Sequence, residues 1–137
     1  MKYLGLDLGS RTLGVAISDA LGMIARVYET YRFKDDDYDS AVTYTIDIIK
    51  KEKIDAVILG YPKHMNGDVG IRGKISEEFK RKLEEKTSCK IILLDERLST
   101  VAANNIMLMG DVSRKKRKEK KDELAAVIIL QNYLDRR

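Results

Sequence analysis

The stretch Tyr3-Leu-Gly-Leu-Asp-Leu-Gly-Ser-Arg-Thr-Leu-Gly-Val-Ala-Ile-Ser18 decides the fold. Residues 2–8 alternate, Leu4, Leu6 and Leu8 on one face and Tyr3, Gly5 and Asp7 on the other, the period of a strand. Gly9-Ser10-Arg11-Thr12 reads as a tight turn. Residues 13–18 then alternate again, Leu13, Val15 and Ile17 against Gly14, Ala16 and Ser18. So short a linker predicts an antiparallel hairpin. One face of it is bulky and aliphatic. The other carries small residues and a single carboxylate, Asp7, and leaves room for a helix or a ligand to come close.

Outward from this hairpin, Asp19-Ala-Leu-Gly22 is a second turn and residues 24–31 a third strand, rich in β-formers. An acidic cluster follows: Asp35, Asp36, Asp37 and Asp39. Asp39 or Ser40 is expected to cap a helix in which Val42, Thr45, Ile46 and Ile49 recur at helical spacing. Ala56–Gly60 is continuously apolar, as a strand covered on both faces would be, and so suits a parallel segment. Residues 61–73 read as a loop with the single proline, Pro62, near its start. Ile75, Phe79 and Leu83 mark a helix over 75–86. Residues 90–94 are another buried strand, running into Asp95-Glu96-Arg97. Ser99 is expected to cap a helix stopped by Gly110. The basic run from Arg114 to Lys121 reads as a loop, and Asp122 as the opening of a last helix, Leu124–Leu134. Antiparallel strands followed by helix–strand alternation predict an α/β fold, a mixed five-stranded sheet flanked by helices, in one domain over residues 1–137.

The bulk properties narrow the class. The chain has 137 residues, enough to bury a real core. No apolar run approaches the roughly 18 residues of a membrane span. The N-terminus passes straight into a strand-like pattern without a secretory signal. One cysteine, Cys89, permits no internal disulfide and is expected to be a buried or half-buried small residue. These features fit the cytoplasm. The net charge is only +4 but unevenly spread, which hints at an anionic partner on one side of the molecule.

Three acidic positions sit in or at the ends of elements: Asp7, Asp95/Glu96 and Asp122. A charge buried in an apolar strand costs several kcal/mol unless something offsets it. A divalent cation would do so at Asp7, as would a turn cap through the amides of Gly9 and Ser10, and the pattern weighs the two nearly equally. Asp95 and Glu96 end a buried strand, where open α/β sheets bind ligands, but both faces are apolar and parity does not choose between them. They could equally pair with Arg97. Asp122, at a helix start, would be favoured by the dipole alone. Arg114, Lys115, Lys116, Arg117, Lys118, Lys120 and Lys121 could neutralise a phosphate backbone without reading bases. Arg11, Lys63 and Arg97, each in a loop beside a candidate site, could add phosphate contacts. His64, the single histidine, has no zinc-spaced companion and no triad partners.

Four separated segments, Leu4–Asp19, Gly60-Tyr-Pro-Lys-His-Met-Asn-Gly67, Asp95-Glu-Arg-Leu-Ser-Thr100 and Asp122-Glu-Leu-Ala-Ala126, resemble the YqgF (RuvX) family, described as Holliday junction resolvases or pre-16S ribosomal RNA nucleases. The resemblance runs end to end in the correct order. It implies a ribonuclease H-like domain that cuts phosphodiesters with Mg²⁺ or Mn²⁺. It carries the first-strand acid to Asp7, the mid-chain acid to Glu96 with Asp95 beside it, and the C-terminal acid to Asp122. Thr12 and Tyr61 depart from the family pattern, which often has a basic residue and a leucine there. The resemblance implies a cytoplasmic hydrolase of ribosome biogenesis acting on precursor rRNA, with ribosomal particles as further partners and no membrane, as a monomer or weak homodimer. Junction-selective cleavage of branched DNA is the nearest alternative. A binding-only module is a second. A sugar kinase or ATPase ranks last, because closing over a nucleotide needs a second domain.

Overall fold

The computed structural model describes residues 1–61, 71–95 and 114–136. The strands are β1 (Tyr3–Leu8), β2 (Thr12–Ser18), β3 (Ala25–Arg32), β4 (Ala56–Tyr61) and β5 (Lys90–Asp95). The helices among the described residues are α1 (Tyr38–Glu52), α2 (Ile71–Lys86) and α3 (Arg114–Arg136). The strands form one sheet in the order β3-β2-β1-β4-β5. β1–β2 and β2–β3 are antiparallel, while β1–β4 and β4–β5 are parallel. This is the mixed five-stranded sheet expected, and the predicted antiparallel hairpin forms, with Leu4 opposite Ile17 and Asp7 opposite Gly14.

Alternation divides the sheet's two faces between separate cores. Leu4, Leu6, Leu8, Leu13, Val15, Ile17, Val57, Leu59 and Ile91 pack on the α1 and α2 side with Val42, Ile46, Ile49, Phe79 and Leu83. Tyr3, Ala16, Ala56 and Ile58 pack on the α3 side with Ala126, Ile129, Leu130 and Leu134. The small-residue face therefore receives α3. A Cβ added at Gly5 would lie 2.7 Å from the Leu130 Cβ and 3.0 Å from the Ala126 carbonyl oxygen, so the helix rests directly on the strand backbone. Ser18, the buried polar member of that face, is satisfied: its Oγ accepts from the Tyr3 N–H at 2.8 Å and donates to the Asp19 carbonyl at 2.9 Å.

Local chemistry sets the joints. Gly22, at φ +69°, closes the turn after β2, where the Asp19 carboxylate accepts from the Met23 amide at 2.7 Å. Asp37, rather than Asp39 or Ser40, caps α1, its carboxylate accepting from the Ser40 N–H at 3.3 Å. Asp39 lies inside the first turn and reaches across to α2, where Lys82 Nζ stands 2.9 Å away. α2 begins at Ile71, four residues before its apolar repeat, and β4 runs to Tyr61, so both ends of the predicted 61–73 loop belong to regular elements. The predicted helix after Ser99 lies outside the described residues.

The largest departure is at the C-terminal end. The basic run is not a loop: α3 is helical from Arg114, and Asp122 lies in its third turn. Lysine and arginine are good helix formers, so a run without apolar periodicity can still be helical when its downstream half is anchored in a core. The dipole explanation for Asp122 falls with this correction, since the effect fades beyond the first turn.

Candidate active site

Asp7 is the one half-buried residue in a strand whose other members are buried. Its strand sits in the middle of the sheet, and its position is near the carboxyl end of β1. The parallel strands β4 and β5 end at the same edge, with Tyr61 opposite Asp95. Crevices outside the carboxyl ends of parallel strands are where open α/β sheets place ligands.

Across the sheet, Asp7, Gly14 and Thr30 form one cross-strand row, and such a row shares a face. Gly14, between them, is buried and contributes no side chain. Thr30 Oγ1 is buried and has no hydrogen-bond partner among the described residues. A buried hydroxyl without a partner is costly, and this one stands in the same row as the half-buried Asp7. A hard cation with retained waters, or a water alone, has the chemistry to partner that hydroxyl. The turn-cap alternative for Asp7 loses one of its two donors, because the Gly9 N–H donates to the Thr12 carbonyl at 2.7 Å.

α3 crosses this face in the opposite sense to β1. The Tyr3 ring packs edge-on against Tyr133, with centroids 5.7 Å apart, and Gly5 lies beneath Leu130 and Ala126. A strand rises about 3.3 Å per residue and a helix 1.5 Å, so two further strand residues correspond to roughly four or five helix residues. That step brings Asp7 level with the turn of α3 that contains Asp122. Residues 114–121 then continue the helix about 12 Å further.

Of the other sequence-predicted residues, Asp95 is the last residue of β5, while Glu96, Arg97, Lys63 and His64 lie outside the described residues. Arg114 to Lys118 are placed on the first turns of α3 by their backbone. Arg11 is exposed and pairs with Asp35 at 3.6 Å, a surface contact worth little in stability. Among the described residues no group of three His, Cys, Asp or Glu is arranged to hold a metal. Cys89 is half-buried, as expected, and burial pushes its thiol pKa up. No helix among the described residues is long and apolar enough to cross a membrane.

Two features of this edge escaped the sequence reading. Tyr61 donates its hydroxyl to the Glu77 carboxylate, which ties the end of β4 to α2 and raises the phenol's pKa. The row through Thr30 depends on a bulge, the register shifting between Val15 and Ala16, which simple alternation does not reveal.

Against known proteins, residues 1–136 match the sequence profile of a family described as "RuvX: Holliday junction resolvase". A relative from Geobacillus sp. (strain WCH70), named "Putative pre-16S rRNA nuclease", is 47% identical over 135 residues, covering 98% of each chain. Among solved structures, the fowlpox virus Holliday junction resolvase superposes with a TM-score of 0.61 at 16% identity over the whole of both chains. Thermus thermophilus RuvC in complex with a Holliday junction substrate gives 0.59 at 13% identity, covering 94% of this chain and 91% of that one. At such identities these two establish a shared fold, the ribonuclease H-like fold expected.

Proposed function

The chain belongs to the RuvX family of Holliday junction resolvases, and from that premise we propose that it is a metal-dependent nuclease acting in 5′-end maturation of precursor 16S rRNA. The carrying observation is Asp7, a half-buried carboxylate on the small-residue face, at the edge where three parallel strands end. A relative named for precursor 16S rRNA, alike over nearly the full chain, supports the substrate.

Asp7, Glu96 and Asp122 are the acids we assign to the site, with Asp95 beside them. Ile92 and Leu94 pack in the cluster that contains α3, whereas Ile91 and Leu93 pack on the opposite face. The likeness of Asp95-Glu-Arg-Leu-Ser-Thr100 to the family's mid-chain segment favours Glu96 over Asp95. An all-carboxylate set suits Mg²⁺ or Mn²⁺. When bound, such ions supply an activated water and stabilise the departing oxygen of the phosphodiester. The chain's own part is to hold the acids on rigid elements: Asp7 on a central strand and Asp122 on a helix packed against it. Arg114, Lys115, Lys116, Arg117 and Lys118, with Arg11, Lys63 and Arg97, are assigned to the phosphate backbone. The setting we infer is the cytoplasm, on ribosomal precursor particles, with all of this in one domain.

The test compares wild type and Asp7→Asn with Mn²⁺ on precursor 16S rRNA and on four-way DNA junctions. Wild type is expected to cut the rRNA, leaving 5′-phosphate and 3′-hydroxyl ends. Asp7→Asn should lose at least roughly 100-fold, the upper range seen for partners one step further from a metal. Undiminished cleavage by Asp7→Asn would overturn the mechanism. Preferential cutting of the junction would move the substrate to branched DNA, the reading that the family's description favours.

A further inference from the structure

We propose that Gln131 guards the open edge of the sheet: its side-chain amide takes the place of a neighbouring strand at the start of β3 and keeps that edge from pairing with a second copy of the chain. β3 is the outer strand on its side of the sheet, so half of its backbone groups face away from β2. Two bonds at its ends say which half. The Asp19 N–H donates to the Ile24 carbonyl at 3.2 Å, and the Phe33 N–H to the Arg11 carbonyl at 2.9 Å. Antiparallel pairs alternate between bonded and unbonded, and the bulge at Tyr28 shifts the count by one residue. Ala25, Val27, Thr30 and Arg32 therefore turn their N–H and C=O groups outward.

Gln131 reaches this edge from α3. Its Oε1 accepts from the Ala25 N–H at 2.8 Å, and its Nε2 donates to the Met23 carbonyl at 3.1 Å. An N–H and a C=O two residues apart are the groups that one residue of a parallel neighbour would engage. Asp135, one helical turn on, accepts from the same Nε2 at 2.9 Å. All three contacts agree on the orientation of the amide, with its oxygen against an N–H and its nitrogen against two oxygens.

The amide stands where the edge has least other protection. Past Val27 the chain carries the bulge and the charges of Glu29, Arg32 and Lys34, which are common devices against strand addition. The start is different, with Arg26 as the single charge from Ala20 to Tyr28. The large hydrophobic residues left exposed among the described ones are Met1, Leu21, Met23, Ile24 and Val27, and all lie at this corner. Met1 belongs to it because Gly22 of the turn packs on it: an added Cβ there would stand 2.8 Å from the Met1 carbonyl oxygen. Open backbone groups bordered by apolar side chains are a template for another strand. Every copy presents the same stretch, so the partner at hand is a second copy, paired about a two-fold axis. The corner lies at the Tyr3 end of β1, away from Asp7, so what Gln131 does there is independent of the nuclease reading.

The test follows the mass of the full chain by sedimentation as concentration is raised, together with amide exchange at Ala25. Wild type should keep one mass through the micromolar range. Gln131→Ala should self-associate within it, and in dilute solution its Ala25 amide should exchange roughly tenfold faster, the size of one lost hydrogen bond. Adding Val27→Lys to Gln131→Ala should restore the single mass without slowing the exchange, since a lysine on the edge blocks pairing but does not replace the amide. The single and double variants should melt within a few degrees of each other, which separates restored mass from restored stability. If Gln131→Ala melts too low to assay, Gln131→Met keeps the length and helix propensity without the amide and reads the same outcomes. A Gln131 variant that keeps the wild-type mass overturns the proposal, as does wild type associating as readily as the variant. Restoration of the single mass by Leu21→Ser but not by Val27→Lys also overturns it, in favour of association through the apolar turn.

Discussion

Thr30 shows at the scale of one residue how the fold departs from its stability optimum beside the site. Its hydroxyl, in the row of Asp7 and Gly14, is buried without a partner among the described residues. Leaving such a group unsatisfied costs about 1–3 kcal/mol. Valine has the same shape without the polar atom, so Thr30→Val should raise the melting temperature by a few degrees, about 2–8 °C per kcal/mol for domains of this size range. If the hydroxyl instead completes the polar surroundings of Asp7, metal-dependent cleavage should fall in the same variant. Thermal melts and cleavage rates together separate the outcomes: a gain in stability with a loss of activity is expected, and a loss of stability would show that the hydroxyl is satisfied. Asp7 itself was legible in the sequence as a carboxylate on a small-residue face. Thr30 was not, because its place in that row depends on the bulge opposite Val15 and Ala16.

Among elements, what could be read in advance was what repeats. The hairpin, the buried β4 and β5, and the helix carrying Val42, Ile46 and Ile49 announced themselves through apolar spacing, which packing rewards directly. Ends were harder to read, since a cap needs only one side chain among several candidates: Asp37, Asp39 and Ser40 all qualified for α1. The choice between Asp95 and Glu96 was closed to sequence because both faces of β5 are apolar: Ile92 and Leu94 pack on the α3 side and Ile91 and Leu93 on the other, and Glu96 lies outside the described residues. The basic run was misread as a loop for a related reason: it has helix propensity but no stripe to reveal it. Its helicity has a consequence. Proline inside a helix costs about 3 kcal/mol, so Lys118→Pro should break the first turns of α3 while the core from Ala125 onward stays packed. Circular dichroism should show helix lost, with rRNA affinity reduced beyond what one charge explains. Unchanged helicity and affinity would mean that the run acts through charge alone, as a loop would.

For the whole molecule, the pKa shifts set the limits of its stability against pH. On the acid side, the Lys82 ammonium beside Asp39 and the Met23 and Ile24 amides beside Asp19 hold those carboxyls below their ordinary value near 3.8, and Arg81 does the same for Glu78 below 4.5. A lowered carboxyl contributes stability that is present above its unfolded value and is lost as pH falls through the folded one. On the alkaline side, Tyr61 is raised above 10.0 by its hydrogen bond to Glu77, and Cys89 above 9.0 by burial. Raised groups contribute stability that is present below the unfolded value and is lost as pH rises towards the folded one. The melting temperature should therefore be nearly flat from about pH 5 to 9 and fall on both sides. The two limbs belong to different contacts: Asp39–Lys82 ties α1 to α2, whereas Tyr61–Glu77 ties β4 to α2. Asp39→Asn should flatten part of the acid limb and leave the alkaline limb alone, and Tyr61→Phe should do the reverse. Because the Asp39 pair is exposed, the Asp39→Asn difference should also shrink as salt is raised, while the Cys89 share of the alkaline limb, which comes from burial, should not. Melting curves of the three proteins from pH 2 to 11 at low and high salt check this, and an acid limb identical in wild type and Asp39→Asn at low salt would remove the α1–α2 ion pair from the account.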